Sequence, residues 1–171
     1  MTIAAPGIIE TARVRVRPVA LSDLAALMAV NGDPEVTKFL PYKAWSSLDD
    51  ARAWYDRMRG LEAKGDTIQM VVAQRADDIA IGTCLIFRYD EATAAAELGF
   101  VLGRSHWRTG IMGEAMQALV AKAFGPMGIR ELKAVVEHGN AASMALLRRL
   151  GFEQVGRDEE VNRYALTRRA A

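Results

Sequence analysis

The sequence comprises 171 residues, 51% hydrophobic and 25% charged, with 22 Lys+Arg against 21 Asp+Glu and a formal net charge of +1. A chain of this size is expected to form one domain, spanning residues 1–171, whose core buries roughly two thirds of the surface that the unfolded chain exposes. The charge balance gives no electrostatic reason to expect a nucleic-acid partner, no apolar stretch approaches the ~20 residues needed to span a bilayer, and the lone Cys84 rules out an intrachain disulfide.

The opening MTIAAPGIIETAR lacks the charged start and continuous apolar run of a secretion signal, so the expected compartment is the cytoplasm. Over Thr11 to Val19, Val14 and Val16 alternate with Arg13, Arg15 and Arg17, which predicts a strand with one buried face. Ser22 is placed to cap a short helix carrying Leu24, Leu27 and Met28, stopped at Asn31-Gly32. Between Asp33 and Trp45, two prolines and three aromatics on an irregular segment read either as the rim of a substrate cleft or as a loop packed on the core. Ser47 and Asp50 resemble a capping box that opens a helix through Glu62, with Ala51, Trp54, Tyr55, Met58 and Leu61 as its buried stripe.

The segments TIQMVVAQ and IAIGTCLIF, joined by the turn residues Ala76-Asp77-Asp78, predict an antiparallel hairpin, and Ala94 to Leu102 a third strand beside it. A helix follows from Gly110 to about Gly125, burying Met112, Met116, Leu119, Val120 and Phe124. A strand in IRELKAVVE, a helix from Asn140 to Leu150 closed by Gly151, and strands near Phe152 to Arg157 and Val161 to Leu166 complete the chain. The order β-α-α-β-β-β-α-β-α-β-β makes this an α+β (α/β) chain.

The most informative stretch is AELGFVLGRSHWRTGIMGEAMQA, residues 96 to 118, where a strand gives way to a glycine-punctuated turn and then a helix. The first turn of a helix leaves backbone N–H groups without internal acceptors, and the helix dipole adds partial positive charge, so the natural guest is an anion such as a phosphate. Gly110 lets those amides approach a diphosphate closely, and Arg108 adds a charge-assisted contact. A plain strand-to-helix turn is the alternative on this stretch alone.

The strand ending AELGFVL, the turn HWRTGIMGEA and the downstream NAASMALLRRLGF together resemble the GNAT superfamily of acetyl-CoA-dependent N-acetyltransferases. The opening ETARVRVRP, the phrase DPEVTKFL and the G-I-M-x-E-A form are most similar to its ribosomal-protein (RimJ/RimL-type) branch. The resemblance covers nearly the whole chain and implies a mixed, mostly antiparallel sheet of about seven strands with helices on both faces. The family's diphosphate turn, usually Gln or Arg, two residues, Gly, one residue, then Gly or Ala, lands here with Trp107 first, Gly110 second and Met112 third. A frame starting at Arg108 would end on Gly113 but put Ile111 where glycine belongs.

The resemblance implies that acetyl-CoA is held by Phe100, Val101 and Leu102 on the strand, by Trp107, Arg108, Thr109, Gly110, Ile111, Met112 and Gly113 on the turn, and by Asn140 and Ser143 on the last helix. The pantetheine arm would lie along Glu97 to Leu102 as an added strand. An N–H near Val101 or Leu102 would stabilise the oxyanion formed when an amine attacks the thioester. Glu97 is the expected proton acceptor for that amine, directly or through a water, because a glutamate inside an apolar strand is costly unless its surroundings use it. Pointing to solvent or pairing with an arginine are the alternatives.

The tyrosine that many superfamily members carry seven residues after the helix-opening Asn is replaced by Leu147, and Ser143 takes the place of the Rim-type serine that protonates the leaving thiolate. Cys84, among Ile81, Leu85 and Ile86, reads as core rather than as an acyl carrier, and neither His106 nor His138 has metal-ligand spacing, so no metal is expected. The expected activity is N-acetyl transfer to a protein α-amine or a small-molecule amine, with a homodimer as an expected assembly. The alternatives are an antibiotic- or metabolite-modifying enzyme of the same fold and a non-catalytic acyl-CoA-binding module. A dinucleotide-binding domain fits poorly, because the turn follows antiparallel strands and lacks the full glycine fingerprint.

Overall fold

The alternating valines and arginines of the first predicted strand pair outward into one continuous sheet, seen in a computed structural model that describes residues 2–169; Met1, Ala170 and Ala171, the ends of the expected domain, lie outside the described residues. The strands are β1 (Ile9–Glu10), β2 (Val14–Pro18), β3 (Ile68–Gln74), β4 (Ala80–Asp90), β5 (Ala95–Leu102), β6 (Glu131–Glu137), β7 (Glu153–Arg157) and β8 (Val161–Thr167). The sheet has eight of them, in the order β1-β2-β3-β4-β5-β6-β8-β7. The strand beyond the expected seven is β1, whose two residues pair with Val16 and Arg15 of β2. Two residues carry no alternation to read.

The helices are α1 (Leu24–Asn31), α2 (Pro34–Thr37), α3 (Leu48–Glu62), α4 (Ile111–Phe124) and α5 (Ala141–Arg149). One sheet face packs beneath α4 and α5, with Val14, Val16, Met70, Ile86, Leu98, Leu132 and Tyr164 buried against Met112, Met116, Leu119 and Leu147. The other face is covered by α1 and α3 over Val71, with Leu27, Trp45, Trp54 and Met58 as the core. Trp54, Ala51 and Met58 are the buried part of the stripe anticipated on α3. Helices thus lie on both faces, as the family resemblance implied. Among the described residues no helix is long and apolar enough to cross a membrane.

Two helix starts differ from expectation. Ser22 caps nothing; Asp23 instead accepts the Ala20 N–H (2.7 Å) and pairs with Arg17 (2.8 Å), and the chain enters α1 through a single 3-10 turn. At α3 the Asp50 carboxylate does reach back, chiefly onto the Ser46 N–H and hydroxyl, while the Ser47 side chain at the N-cap makes no cap bond. A short side chain one position away can satisfy the same orphan donors, so sequence spacing locates the helix start better than the capping atom.

The feature that positions the site is the junction of the sheet's two halves. β1 to β5 are antiparallel throughout, and β6, β8 and β7 form a second antiparallel unit. The halves meet in the one parallel pairing, and only through Ala95, Ala96 and Glu97 of β5 with Glu131, Leu132 and Lys133 of β6. Beyond those pairs the strands part: Leu98–Leu102 stay on β4, and Ala134–Glu137 stay on β8. A wedge therefore opens between β5 and β6, leaving one edge of β5 without a strand partner.

Candidate active site

Because β5 and β6 are parallel, the helices that follow them both begin at the open end of the wedge. The turn after β5 runs through one 3-10 turn (Arg104–His106) to Gly110, which caps α4. Gly110 has φ +78°, in the left-handed region where L side chains are strained, so this is the turn position that requires glycine. Arg108 is also left-handed at φ +60°. Helix α4 takes its first internal bond at Glu114, whose N–H donates to the Gly110 carbonyl (3.0 Å). The amides of Met112 and Gly113 precede it and find no acceptor among the described residues. These free donors, with the helix dipole behind them, are the groups that the sequence expected to face an anion.

Residues far away in sequence fix that turn. The Glu114 carboxylate accepts the Thr11 hydroxyl (2.6 Å), the Arg13 N–H (2.9 Å) and the Arg13 guanidinium (2.7 Å), and Arg13 also donates to the Thr109 carbonyl (2.9 Å). The Thr11 hydroxyl and then the Arg13 groups hold the Glu114 carboxyl at about 2, well below its ordinary value. The Thr109 hydroxyl donates to the His106 carbonyl (2.5 Å), and the Trp107 indole N–H donates to the Leu102 carbonyl (2.8 Å), pinning the turn to the end of β5. Glu114 and Arg13 were absent from the sequence-derived site. Only the Glu of the G-I-M-x-E-A form hinted at the first, and nothing local could reveal a partner about a hundred positions away.

At the start of α5 the Asn140 carboxamide accepts the Ser143 N–H (3.2 Å) and so caps the helix. The Ser143 hydroxyl is half-buried and has no partner among the described residues. Leu147 is fully buried in the core, so no hydroxyl is offered from that position. Glu97 lies at the closed end of the wedge, opposite Phe87 of β4 and Lys133 of β6. Its carboxylate accepts a hydrogen bond from Arg88 (3.0 Å), so the arginine-paired alternative is what the structure shows. Arg88 reaches it because β4 is irregular there, with Arg88 in the left-handed region at φ +51°. The structure thus gathers Phe100–Leu102, the Trp107–Gly113 turn, Asn140 and Ser143 at the open end, whereas Glu97 stands five strand residues from Leu102, roughly 16 Å away.

Two further elements complete the surroundings. A cavity of about 710 Å³ opens between α4 and α5, reached from Arg108, Gly110 and Gly113 and extending to Gln117, Leu150 and Arg149. Gly113 lines this groove, where a Cβ would make an ordinary contact with Leu146 at 3.5 Å. The segment after α2 carries Phe39, whose ring lies against Gly139 in the turn from β6 to α5. The loop between Asp33 and Trp45 therefore spans to the second sheet half. Its C-terminal part is tied down by Trp45 N–H donating to the Asn31 carbonyl (2.8 Å) and the Tyr42 hydroxyl donating to Asn31 Oδ1 (2.8 Å). Cys84 is fully buried, and burial pushes its thiol up to about 12, which suits core packing and not an acyl carrier. His138 is engaged with the Asp158 carbonyl and Asn162, and among the described residues no three His, Cys, Asp or Glu side chains come together as a metal site.

Comparison with known proteins fits this geometry. Residues 13–153 match the model of the acetyltransferase (GNAT) domain. The chain is 32% identical over 146 residues to the uncharacterized N-acetyltransferase p20 of Bacillus licheniformis, covering 85% of this chain and 82% of that protein. Among solved structures, the RimL ribosomal L7/L12 α-N-protein acetyltransferase in complex with coenzyme A superposes with a TM-score of 0.83 at 21% identity, over 94% of this chain and 97% of that one. Mycobacterium smegmatis RimJ in complex with CoA-disulfide gives 0.82 at 20% identity, over 98% and 90%. At such identities the two structures establish a shared fold.

Proposed function

The chain belongs to the GNAT acetyltransferase family, and from that premise we propose that it transfers the acetyl group of acetyl-CoA directly to an amine, a protein N-terminal α-amine or a small-molecule amine. The observation that carries the proposal is the wedge between β5 and β6, whose open end meets a left-handed glycine turn with unpaired amides. The residues present suit a diphosphate-bearing thioester. Gly110 and Gly113 leave the space a Cβ would occupy, the amides of Met112 and Gly113 and the Arg108 guanidinium supply donors, and the free edge of Leu98–Leu102 can take the amide-rich arm as a strand. Bound acetyl-CoA supplies the activated acyl group.

The remaining chemistry falls to the chain. The N–H near Val101 or Leu102 is the donor for charge developing on the carbonyl oxygen. Glu97, steadied by Arg88 and roughly 13–16 Å along the strand from that donor, takes the proton of the attacking amine through water lining the wedge, and the otherwise unpartnered Ser143 hydroxyl protonates the departing thiolate. No covalent enzyme intermediate is required. Two hydrophobic clusters on opposite faces of one continuous sheet support reading the chain as one domain.

Thermal denaturation with acetyl-CoA, CoA and NAD tests the cofactor, and thiol release over N-terminal peptides, polyamines and aminoglycosides tests the acceptor. Acetyl-CoA at a hundred times its dissociation constant should raise Tm by roughly 5–10 °C for a chain of this size. No shift at millimolar acetyl-CoA, or an equal shift with NAD, overturns the reading. Ser143→Ala should lower kcat by about two- to tenfold with the acetyl-CoA KM unchanged; an unaltered kcat would remove Ser143 from the proton path.

A further inference from the structure

We propose that Arg149 reads the 3′-phosphate of coenzyme A, so that the groove between α4 and α5 distinguishes CoA from its 3′-dephospho form; this rests on the acetyl-CoA reading above. Both helices start at the open end of the wedge and run the same way, so the groove between them leads away from the phosphate-binding turn. Its lining includes two guanidinium groups and no carboxylate: Arg108 at the turn and Arg149 in the last turn of α5. Neither has an ion-pair partner among the described residues. Arg149 lies seven residues beyond Ala142, another lining residue at the start of α5, which places it roughly 10 Å along the groove. Two unpaired cations spaced along one cavity match the two anionic groups on either side of the CoA ribose. The wall between them, Val120, Leu146 and Leu150, is apolar and offers a face for a purine, with the Gln117 amide as a donor and acceptor at its edge.

A basic residue in the last turn of a helix also has a bland role, offsetting the negative end of the dipole. Arg148, its neighbour, shares that role and donates to the Tyr164 hydroxyl (3.4 Å) instead of lining the groove. The two arginines therefore act as each other's controls. A guanidinium suits a phosphate because its paired N–H groups can grip two oxygens at once.

The test is the dissociation constant of CoA and of 3′-dephospho-CoA, measured by calorimetry on the full chain, for the wild type, Arg149→Gln, Arg149→Lys and Arg148→Gln. The wild type should bind CoA about tenfold more tightly than 3′-dephospho-CoA, the strength expected of a charge-assisted contact at a partly solvated site. Arg149→Gln should bring that ratio close to one while leaving 3′-dephospho-CoA affinity within about twofold, Arg149→Lys should keep part of the ratio, and Arg148→Gln all of it. A wild type that does not discriminate, or an Arg149→Gln protein that keeps the ratio or weakens both ligands equally, overturns the assignment while leaving the acetyl-CoA reading intact. Binding of neither ligand by the wild type overturns both.

Discussion

The two ends of the wedge are built on different principles. At the open end, the groups that would hold phosphate are backbone amides, and the turn presenting them is gripped by Glu114 with Thr11 and Arg13, drawn from the opposite end of the chain. At the closed end, the group that would do chemistry is one side chain, Glu97, held by one hydrogen bond from an arginine that is 71% exposed. Amide donors persist under most substitutions, because every residue but proline supplies one. A carboxylate at a given place depends on one codon. The groups that would hold phosphate are thus part of the fold, whereas the side chain that would take the proton can be retuned without disturbing it.

That contrast is broken most severely by Glu97→Gln. An isosteric amide cannot accept the proton, so kcat should fall by about a hundredfold or more, while the acetyl-CoA dissociation constant stays within twofold. A parallel loss of acetyl-CoA affinity would show that the two ends are not separable, and unchanged turnover across pH would place the base elsewhere.

The next effect is on the grip itself. Removing the acceptor with Glu114→Ala leaves the Thr11 hydroxyl only the Val14 carbonyl (3.1 Å) and the Arg13 N–H only water, and the lost charge-assisted hydrogen bonds should cost about 1–3 kcal/mol, a fall in Tm of roughly 2–12 °C. Acetyl-CoA affinity should fall with it, because Arg13 no longer holds the Thr109 carbonyl. The pH signature is specific. Glu114 is held at about 2 in the folded chain against an ordinary 4.5, so its stabilisation is complete above pH 4.5 and fades as pH drops toward 2. The difference in Tm between wild type and Glu114→Gln should shrink over that window; a difference constant from pH 7 to pH 2 would mean the charge of Glu114 contributes nothing.

The same contrast explains what the sequence disclosed. Alternation in RVRVR and the apolar period of α4 are local patterns, and both elements stand where those patterns put them. Gly110 was legible because a left-handed cap leaves glycine as its trace. Arg13 was legible only as an outward strand residue, since its engagement with Glu114 depends on where β2 lies beside α4. Likewise Arg88 showed nothing in advance, because a left-handed arginine at an irregular point of a strand leaves no mark in composition or period. Arg149 carried no mark of its own in the sequence; only the cavity separates it from Arg148.

The smallest effect concerns the bridge over the open end of the wedge, where α5 begins. Gly139 is outside the left-handed region, so glycine is not needed there for its backbone; what it provides is space, since a Cβ would come within 3.1 and 3.3 Å of the Phe39 ring. Those distances are short enough that the ring must move by a few tenths of an ångström, and Tyr42 and Trp45 anchor the rest of the loop. Gly139→Ala should therefore change the KM for an amine acceptor by about two- to fivefold, in the range of a methyl-sized packing change, with Tm and the acetyl-CoA KM essentially unmoved. The effect belongs to the contact only if it disappears in a Phe39→Ala background, where the added methyl meets no ring. An acceptor KM that shifts equally with and without Phe39 would mean that the turn from β6 to α5, rather than the aromatic bridge, governs access to the open end of the wedge.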